Sequence, residues 1–589
     1  LSVYGAGTIG LAIGSVVGQW LLLCVLSSLH RLSLPVQGRG QVATVATLAI
    51  IFTLGCVVRF AQIDGKPLQH DEASALRSTQ GFFDRGFPSR QIHPDVPAKY
   101  VETSELVYFF AVVSSLVFEE DRVVVRFPAF CFGTATMLLL YLVGSRMHGK
   151  PAGLIASATY AFSPICIQMA CFGRYFTQLQ FFCLLTVFLF WLTIRGSGRV
   201  RRNYLAGTAA AFLAMYFTWQ GSALIAIGMI VACCWARRKS MYPVLRDGDV
   251  WLAVAAVGCI VILHINLRSL HLVQFLTYGS GISNLSFRSM WKLSDFDITY
   301  CIWESAWNRD ALFPLLGVIG GCLLATGHPL RRSVRFVLLV LLTTAFLQAL
   351  LLPVYTWRYS FHLMPFGILL FSASLFAFCR SLIRALQPRQ VGRGEHAYPR
   401  FVAVCTGAAV VLTASGMFFQ LTELRHVHIH GYSLRDLRFS DLSGAAAFLQ
   451  QHLESEDTVL ASNPHVIDHF LGEGATDYWP QSVFDYQAVL DDRRQVPLHR
   501  IAGTVMISSR REWEDLFAKQ QRIWYVLVPS RHAKQNNREV SAFLRQNMRI
   551  AYEGYRVMVL VRDNENRPTR QRLRNDRTLV QSNADFLAD

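Results

Sequence analysis

His70, Asp71, Glu72 and Ala73 directly follow an apolar run of helix length. Two adjacent carboxylates at a membrane exit meet water and lipid headgroups at once, where partial burial raises one pKa and leaves the other ionised. Asp71 and Glu72 are therefore candidate catalytic carboxylates, with Asp71 as a general base. The same loop continues through His93, Asp95, Glu102 and Glu105 into the aromatic run LVYFF, which reads as a short interfacial helix. The plain alternative for each single residue is a solvated loop charge.

Cations recur at the same side. Arg126, Phe127 and Pro128 open the next helix, with proline suited to a first turn. Phe172, Gly173, Arg174 and Tyr175 form an outward turn carrying a cation and a phenol, and Trp357, Arg358, Tyr359 and His362 form another. Arginine offers two parallel donors to phosphate oxygens, so Arg126, Arg174, Tyr175, Arg358 and Tyr359 are candidate phosphate-binding residues. An aromatic belt anchoring the helix ends explains the same residues equally well. Glu102 or Glu105 would orient an acceptor or hold a divalent metal ion, with His264 or His271 as further candidate ligands; ordinary hydrogen bonding is the simpler role for a lone histidine. The turn at Tyr278, Gly279, Ser280 and Gly281 would close over a substrate or serve as a plain loop.

The elements that must position these residues follow from composition. A soluble chain of 589 residues would form roughly three or four domains. Yet 52% of the residues are hydrophobic, only 16% are charged against about 25% in soluble domains, and mean hydropathy is +0.32. The fold class expected is a polytopic α-helical membrane protein. The net charge of +17 falls in short clusters between apolar runs rather than along one arm, which argues for membrane orientation and against nucleic acid. The 13 cysteines lie mostly in apolar runs, with neither a disulfide framework nor a CxxC metal knuckle.

A spanning helix needs about 20 apolar residues, and about twelve segments qualify: 3–29, 42–62, 123–145, 152–170, 176–195, 203–218, 220–236, 250–267, 309–326, 333–353, 360–379 and 401–420. The first lacks a basic leader and is too long for a signal-peptide core, so it reads as a transmembrane helix. The pair from 203 to 236 must turn at Thr218, Trp219, Gln220 and Gly221. Alternate loops carry the basic clusters, including Arg146 with Lys150, Arg199 with Arg201 and Arg202, and Arg331 with Arg332, which makes those loops cytoplasmic. The loops at 63–122 and 268–308, the turns near 171–175 and 354–359, and everything after 421 are then outside.

Four regions result: residues 1–41 as an additional N-terminal transmembrane helix and cytoplasmic loop, 42–420 as the transmembrane domain, 421–563 as a small extracytoplasmic α/β domain, and 564–589 as a disordered polar tail. In the third, AAAFLQQHL and AFLRQNMRI read as helices, and TVLAS, IWYVLVP and RVMVLVR as strands. No repeat of 20 to 50 residues is visible. The helix centres carry almost no charged residue, which disfavours an ion-coupled carrier, and no GxxxxGK[ST] loop points to an ATP-driven pump.

HDEA at 70–73, the loop ETSELVYFF, then RFPAFCFGTATMLLLYLVGSRMHG and ASATYAFSPICIQMACFGRYF together resemble the membrane glycosyltransferases of the GT-C fold, in the protein mannosyltransferase and lipid A aminoarabinose transferase group with its RgtA/B/C/D-like members. The resemblance is most specific over residues 60–180 and is one of topology through about 420. It implies transfer of a sugar from a polyprenyl-phosphate donor to an acceptor hydroxyl on the outer face of a bacterial inner membrane, the acceptor being protein, lipid or glycan; one base acting once on the face opposite the leaving group predicts inversion at the anomeric carbon. Asp71 matches the acidic residue that acts at the reacting centre, and Glu102, or Glu105 by a shifted alignment, resembles the second acidic residue. The family commonly carries Lys-Pro-Pro where this chain has Thr103, Ser104 and Glu105, which removes an expected phosphate cation. No cofactor is implied beyond a divalent ion. The alternative is a non-enzymatic scaffold or flippase-associated subunit that keeps the fold.

Overall fold

The computed structural model describes residues 39–63, 68, 70–86, 88–90, 99–100, 105–236, 248–278, 312–327, 330–351, 361–386, 440–472, 474–480, 488–491, 496–499, 504–529, 536, 538–554 and 556–563. The spans expected at 3–29 and 401–420, most of the 268–308 loop and the tail at 564–589 lie outside the described residues.

Helix α1 spans Arg39–Phe60, α2 His70–Arg85, α3 Glu105–Ser115 and α4 Asp121–His148. A short antiparallel ribbon of β1 (Ser89–Arg90) and β2 (Lys99–Tyr100) lies between α2 and α3. There follow α5 (Lys150–Phe162), α6 (Pro164–Ala170), α7 (Phe176–Arg195), α8 (Gly198–Thr218), α9 (Ile225–Ala236), α10 (Gly248–Tyr278), α11 (Leu312–Gly327), α12 (Arg331–Leu351) and α13 (Met364–Leu386). Among the described residues, four helical segments are long and apolar enough to cross a membrane: Val42–Phe60, Asp121–His148, Phe176–Arg195 and Phe361–Ser381. Shorter apolar helices stand beside them, such as Gln220–Trp235 and Gly248–His264. The chain is an integral membrane protein of packed helices. Helix α7 is apolar on every side, with Leu179, Phe182, Leu184 and Trp191 all buried, as suits a helix enclosed by others.

Two local expectations need correction. The segment 152–170 is two helices, because Pro164 disfavours helical backbone at the preceding residue and Ser163 is extended there (φ −66°, ψ 118°). Proline has no N–H to give the Tyr160 carbonyl four residues back. Arg59, fully buried near the end of α1, repairs the break: its guanidinium donates to Tyr160 O at 3.0 Å, Ala161 O at 2.8 Å and Gly55 O at 3.0 Å. The second correction concerns α4, which starts at Asp121, so Pro128 sits inside the helix rather than in its first turn and Arg126 is held within packed structure. Elsewhere the chain turns at Trp219, whose extended backbone (φ −165°, ψ 117°) ends α8. Gly149, at φ +109°, makes the tight link from α4 to α5, a conformation that costs glycine nothing.

The described residues of 440–563 form an α/β unit around an eight-stranded mixed sheet. Its elements are α14 (Leu442–His452), β3 (Thr458–Ala461), α15 (Pro464–Leu471), β4 (Tyr478–Pro480), β5 (Ala488–Asp491), β6 (Val496–His499), β7 (Val505–Ile507), α16 (Arg510–Lys519), β8 (Arg522–Leu527), α17 (Arg538–Asn547), β9 (Arg549–Gly554) and β10 (Val557–Asp563). Strand order is β5-β6-β7-β4-β3-β8-β10-β9, with β3 parallel to β8 and β10 antiparallel to it. Side chains alternate across the central strands. Val459, Ala461, Trp524, Val526, Val557 and Val559 pack on the α14 and α15 side, while Leu460, Ile523, Tyr525, Leu527 and Met558 pack on Trp513, Leu516, Phe517 and Leu544 of α16 and α17. The first of these layers continues beyond the sheet. Leu68, Ala73 and Leu76 at α2, Tyr108 of α3, and Val124 and Val125 of α4 belong to the same buried cluster.

Candidate active site at the helix ends

Asp71 and Glu72 stand in the first turn of α2, where the exposed amides and partial positive charge of a helix start favour carboxylates. One residue along a helix is a rotation of about 100°, and this separates their surroundings. Glu72 points inward and is fully buried. Arg126 Nε donates to its Oε1 and Arg126 Nη2 to its Oε2, both at 2.8 Å, and the backbone N–H of Gly173 donates to Oε1 at 2.8 Å. The third arm of Arg126 reaches Ile63 O at 2.7 Å. A buried bidentate pair of this kind satisfies both charges. It also ties three segments together: α2, α4 and the turn at Gly173.

Asp71 looks outward. Its side chain is 32% exposed, and its Oδ2 faces Arg174 Nε at 3.9 Å, with Arg174 24% exposed. That spacing exceeds a hydrogen bond, so the two groups form an open pair of opposite charges at the surface of the site. The Arg174 guanidinium lies 5.5 Å from the centre of the Tyr175 ring. Tyr175 in turn stacks on Trp219, with ring centres 6.1 Å apart and planes at 9°. Trp219 meets His362 edge-on at 5.7 Å, and His362 Nε2 is 2.9 Å from Gln348 Nε2. An aromatic and polar wall thus runs from Arg174 into the helices. The turn carrying Arg174 is fixed by close approach, because a Cβ on Gly173 would stand 2.7 Å from Val125 Cγ2.

Glu105, in the first turn of α3, belongs to another group. Its Oε1 lies 3.1 Å from His264 Nε2, its Oε2 accepts from Gln220 Nε2 at 3.3 Å, and His264 Nδ1 is 3.0 Å from the Tyr216 hydroxyl. This chain links α3 to α8 and α10. Among the described residues no three His, Cys, Asp or Glu side chains converge as metal ligands. Glu102, Arg358 and Tyr359 lie outside the described residues, as does the side chain of His271.

The structure therefore brings together Asp71 with Arg174 and Tyr175, and Glu72 with Arg126. Sequence reasoning missed the Gly173 amide, the stacking role of Trp219, and Gln220. Trp219 had one signal: an aromatic at an obligatory turn between two apolar segments. Gly173 had none, since a backbone donor is invisible in residue types.

With a carboxylate and a cation at one end of a bundle of apolar helices and an α/β unit packed beside them, the chain shares the GT-C fold of the solved structures it matches. Residues 104–265 match the sequence pattern of a family described as dolichyl-phosphate-mannose-protein mannosyltransferase. Over 89% of its length the chain is similar in fold to ArnT from Cupriavidus metallidurans in the apo state, covering 99% of that chain with a TM-score of 0.56 and 14% sequence identity. The same enzyme bound to undecaprenyl phosphate matches over 87% of this chain and 97% of its own, with a TM-score of 0.55 and 14% identity. The oligosaccharyltransferase of Archaeoglobus fulgidus in the apo form matches over 73% of this chain and 64% of its own, with a TM-score of 0.49 and 11% identity. No curated protein matches the sequence.

Proposed function

We propose that the protein is an inverting glycosyltransferase that moves a sugar from a polyprenyl-phosphate donor to an acceptor hydroxyl, at the outer face of a bacterial inner membrane. The observation that carries this reading is the outward-facing pair of Asp71 and Arg174, 3.9 Å apart at the helix ends and backed by Tyr175 and Trp219. A fold shared with a protein that binds undecaprenyl phosphate supports the donor class. The residues 421–563 and the helix ends that carry Asp71 and Arg174 are then extracytoplasmic. Their distance from the opposite basic ends fits, because α4 runs from Asp121 to His148, 28 residues or about 42 Å at 1.5 Å per residue, with Arg146 in its last turn.

Displacing a phosphate from an anomeric carbon requires a base for the incoming hydroxyl and positive charge for the leaving oxygens. Asp71 takes the proton as the acceptor oxygen bonds to the anomeric carbon; the bond from that carbon to the phosphate oxygen breaks, and the phosphate leaves with the electron pair. Arg174 receives it, with Arg358 and Tyr359 as further donors and Tyr175 as the ring beneath the guanidinium. A single displacement inverts the anomeric centre. Glu72 and Arg126, which the sequence suggests as a second catalytic carboxylate and a phosphate ligand, act in this reading as the buried brace that sets α2 against Gly173. Glu102 orients the acceptor or holds a divalent ion, and Glu105 with His264 holds the interfacial helix.

The test is complementation of a deletion strain, with the envelope sugars read by mass spectrometry. Asp71→Asn is expected to accumulate at the wild-type level and to transfer nothing. Full transfer by that variant would replace the enzyme with a scaffold subunit of the same fold.

A further inference from the structure

The α/β unit touches the membrane helices at a particular place. Helix α15 presents two consecutive side chains, Asp468 and His469, to two different helices. Asp468 is 2% exposed; its Oδ1 accepts the Thr476 amide at 2.8 Å and its Oδ2 lies 3.5 Å from Arg77 Nη2 on α2. His469 Nε2 lies 3.3 Å from Asp121 Oδ2 in the first turn of α4. These are the two helices whose Glu72 and Arg126 side chains pair in the buried brace. Around both contacts the apolar layer is continuous, from Val466 and Ile467 of α15 to Ala73 and Leu76 of α2 and Val124 of α4. Ala73, Leu76 and Arg77 have the i, i+3, i+4 spacing of one helix face, and Asp71 stands on another.

We propose that α15 is a two-point clamp on α2 and α4, and that Arg77 and Asp468 are positioning residues which set where the Asp71 carboxylate stands. The inference deepens the catalytic reading and rests on Asp71 acting as the base. It gives the α/β unit a part in the reaction without any contact to substrate: it fixes the pitch of α2 from the side away from the chemistry.

The experiment uses the full chain in native-membrane nanodiscs, with hydrogen exchange of the 70–85 amides and envelope-sugar transfer as two readouts. Asp468→Asn keeps the acceptor for Thr476 while removing the charge, and Arg77→Met removes the partner without touching the sheet. Each is expected to speed exchange over α2 by about three- to tenfold and to lower transfer, the double variant adding little to either single one, and Arg77→Lys restoring both. Unchanged α2 exchange in both single variants overturns the clamp whatever transfer does. Faster exchange with undiminished transfer overturns the positioning role, provided that Asp71→Asn is inactive. If Asp71→Asn is itself active while exchange still rises, the clamp stands and the base assignment is what fails.

Discussion

Asp71 and Glu72 are chain neighbours with opposite surroundings. Glu72 has exchanged water for a guanidinium and a backbone amide, and Asp71 keeps a third of its surface. Removing one member of a buried pair leaves the other charged and uncompensated, at a cost of about 3–5 kcal/mol. Arg126→Met is therefore expected to lower the thermal midpoint of the purified protein sharply, whereas Arg174→Gln, at a partly exposed open pair, should leave the midpoint nearly unchanged and abolish transfer. A midpoint that falls equally in both variants would contradict this division. The HDE motif was legible in the sequence as a pair of candidate carboxylates. Which of the two is buried was not, because the answer depends on Arg126, more than fifty residues away on α4.

At the scale of elements, positions are set by what breaks helices and by what repairs them. Pro164 divides a segment that hydropathy reads as one span, and Arg59 supplies the missing donors to Tyr160 and Ala161. Hydrogen bonds to a charged group are worth about 1.5–3 kcal/mol each. Arg59→Leu should accordingly destabilise the protein by several kcal/mol in a chemical or thermal melt, and Arg59→Lys, which cannot span three carbonyls with the same geometry, should recover part of that. The proline was visible in the sequence; the arginine that answers it was not, since its partners lie about a hundred residues on. Gly173 belongs to the same scale. Gly173→Ala would drive a methyl group against Val125 and push the Phe172–Tyr175 turn outward, carrying Arg174 away from Asp71. Transfer should fall severely in the variant. Wild-type transfer by this variant would mean that the turn does not set the pair.

Across the whole molecule, alternation and hydropathy made two kinds of architecture legible: apolar helices, and a C-terminal sheet whose runs IWYVLVP and RVMVLVR form the adjacent strands β8 and β10. Their packing against one another was not legible, because docking surfaces of small apolar residues such as Ala73, Val124 and Val466 look like ordinary core. This interface carries a pH dependence. Burial, reinforced by Arg77, holds the His469 imidazole below its usual pKa of 6.5 against the opposing pull of Asp121. A group with a depressed folded pKa that is neutral when folded contributes fully above its unfolded pKa and loses that contribution as pH falls below it. Thermal stability should therefore drop as the pH falls below the unfolded value of 6.5, and His469→Gln should flatten that slope; an unchanged slope would assign the effect elsewhere.

On the proposed reading, Asp71 discharges a lipid-linked sugar. This is tested most directly by mass spectrometry of the lipids that copurify with the wild type and with Asp71→Asn, extracted from native membranes in mild detergent. The expected result is a polyprenyl phosphate that still carries its sugar on the variant and is discharged on the wild type. Two preparations without any polyprenyl lipid, together with full complementation by the variant, would contradict it.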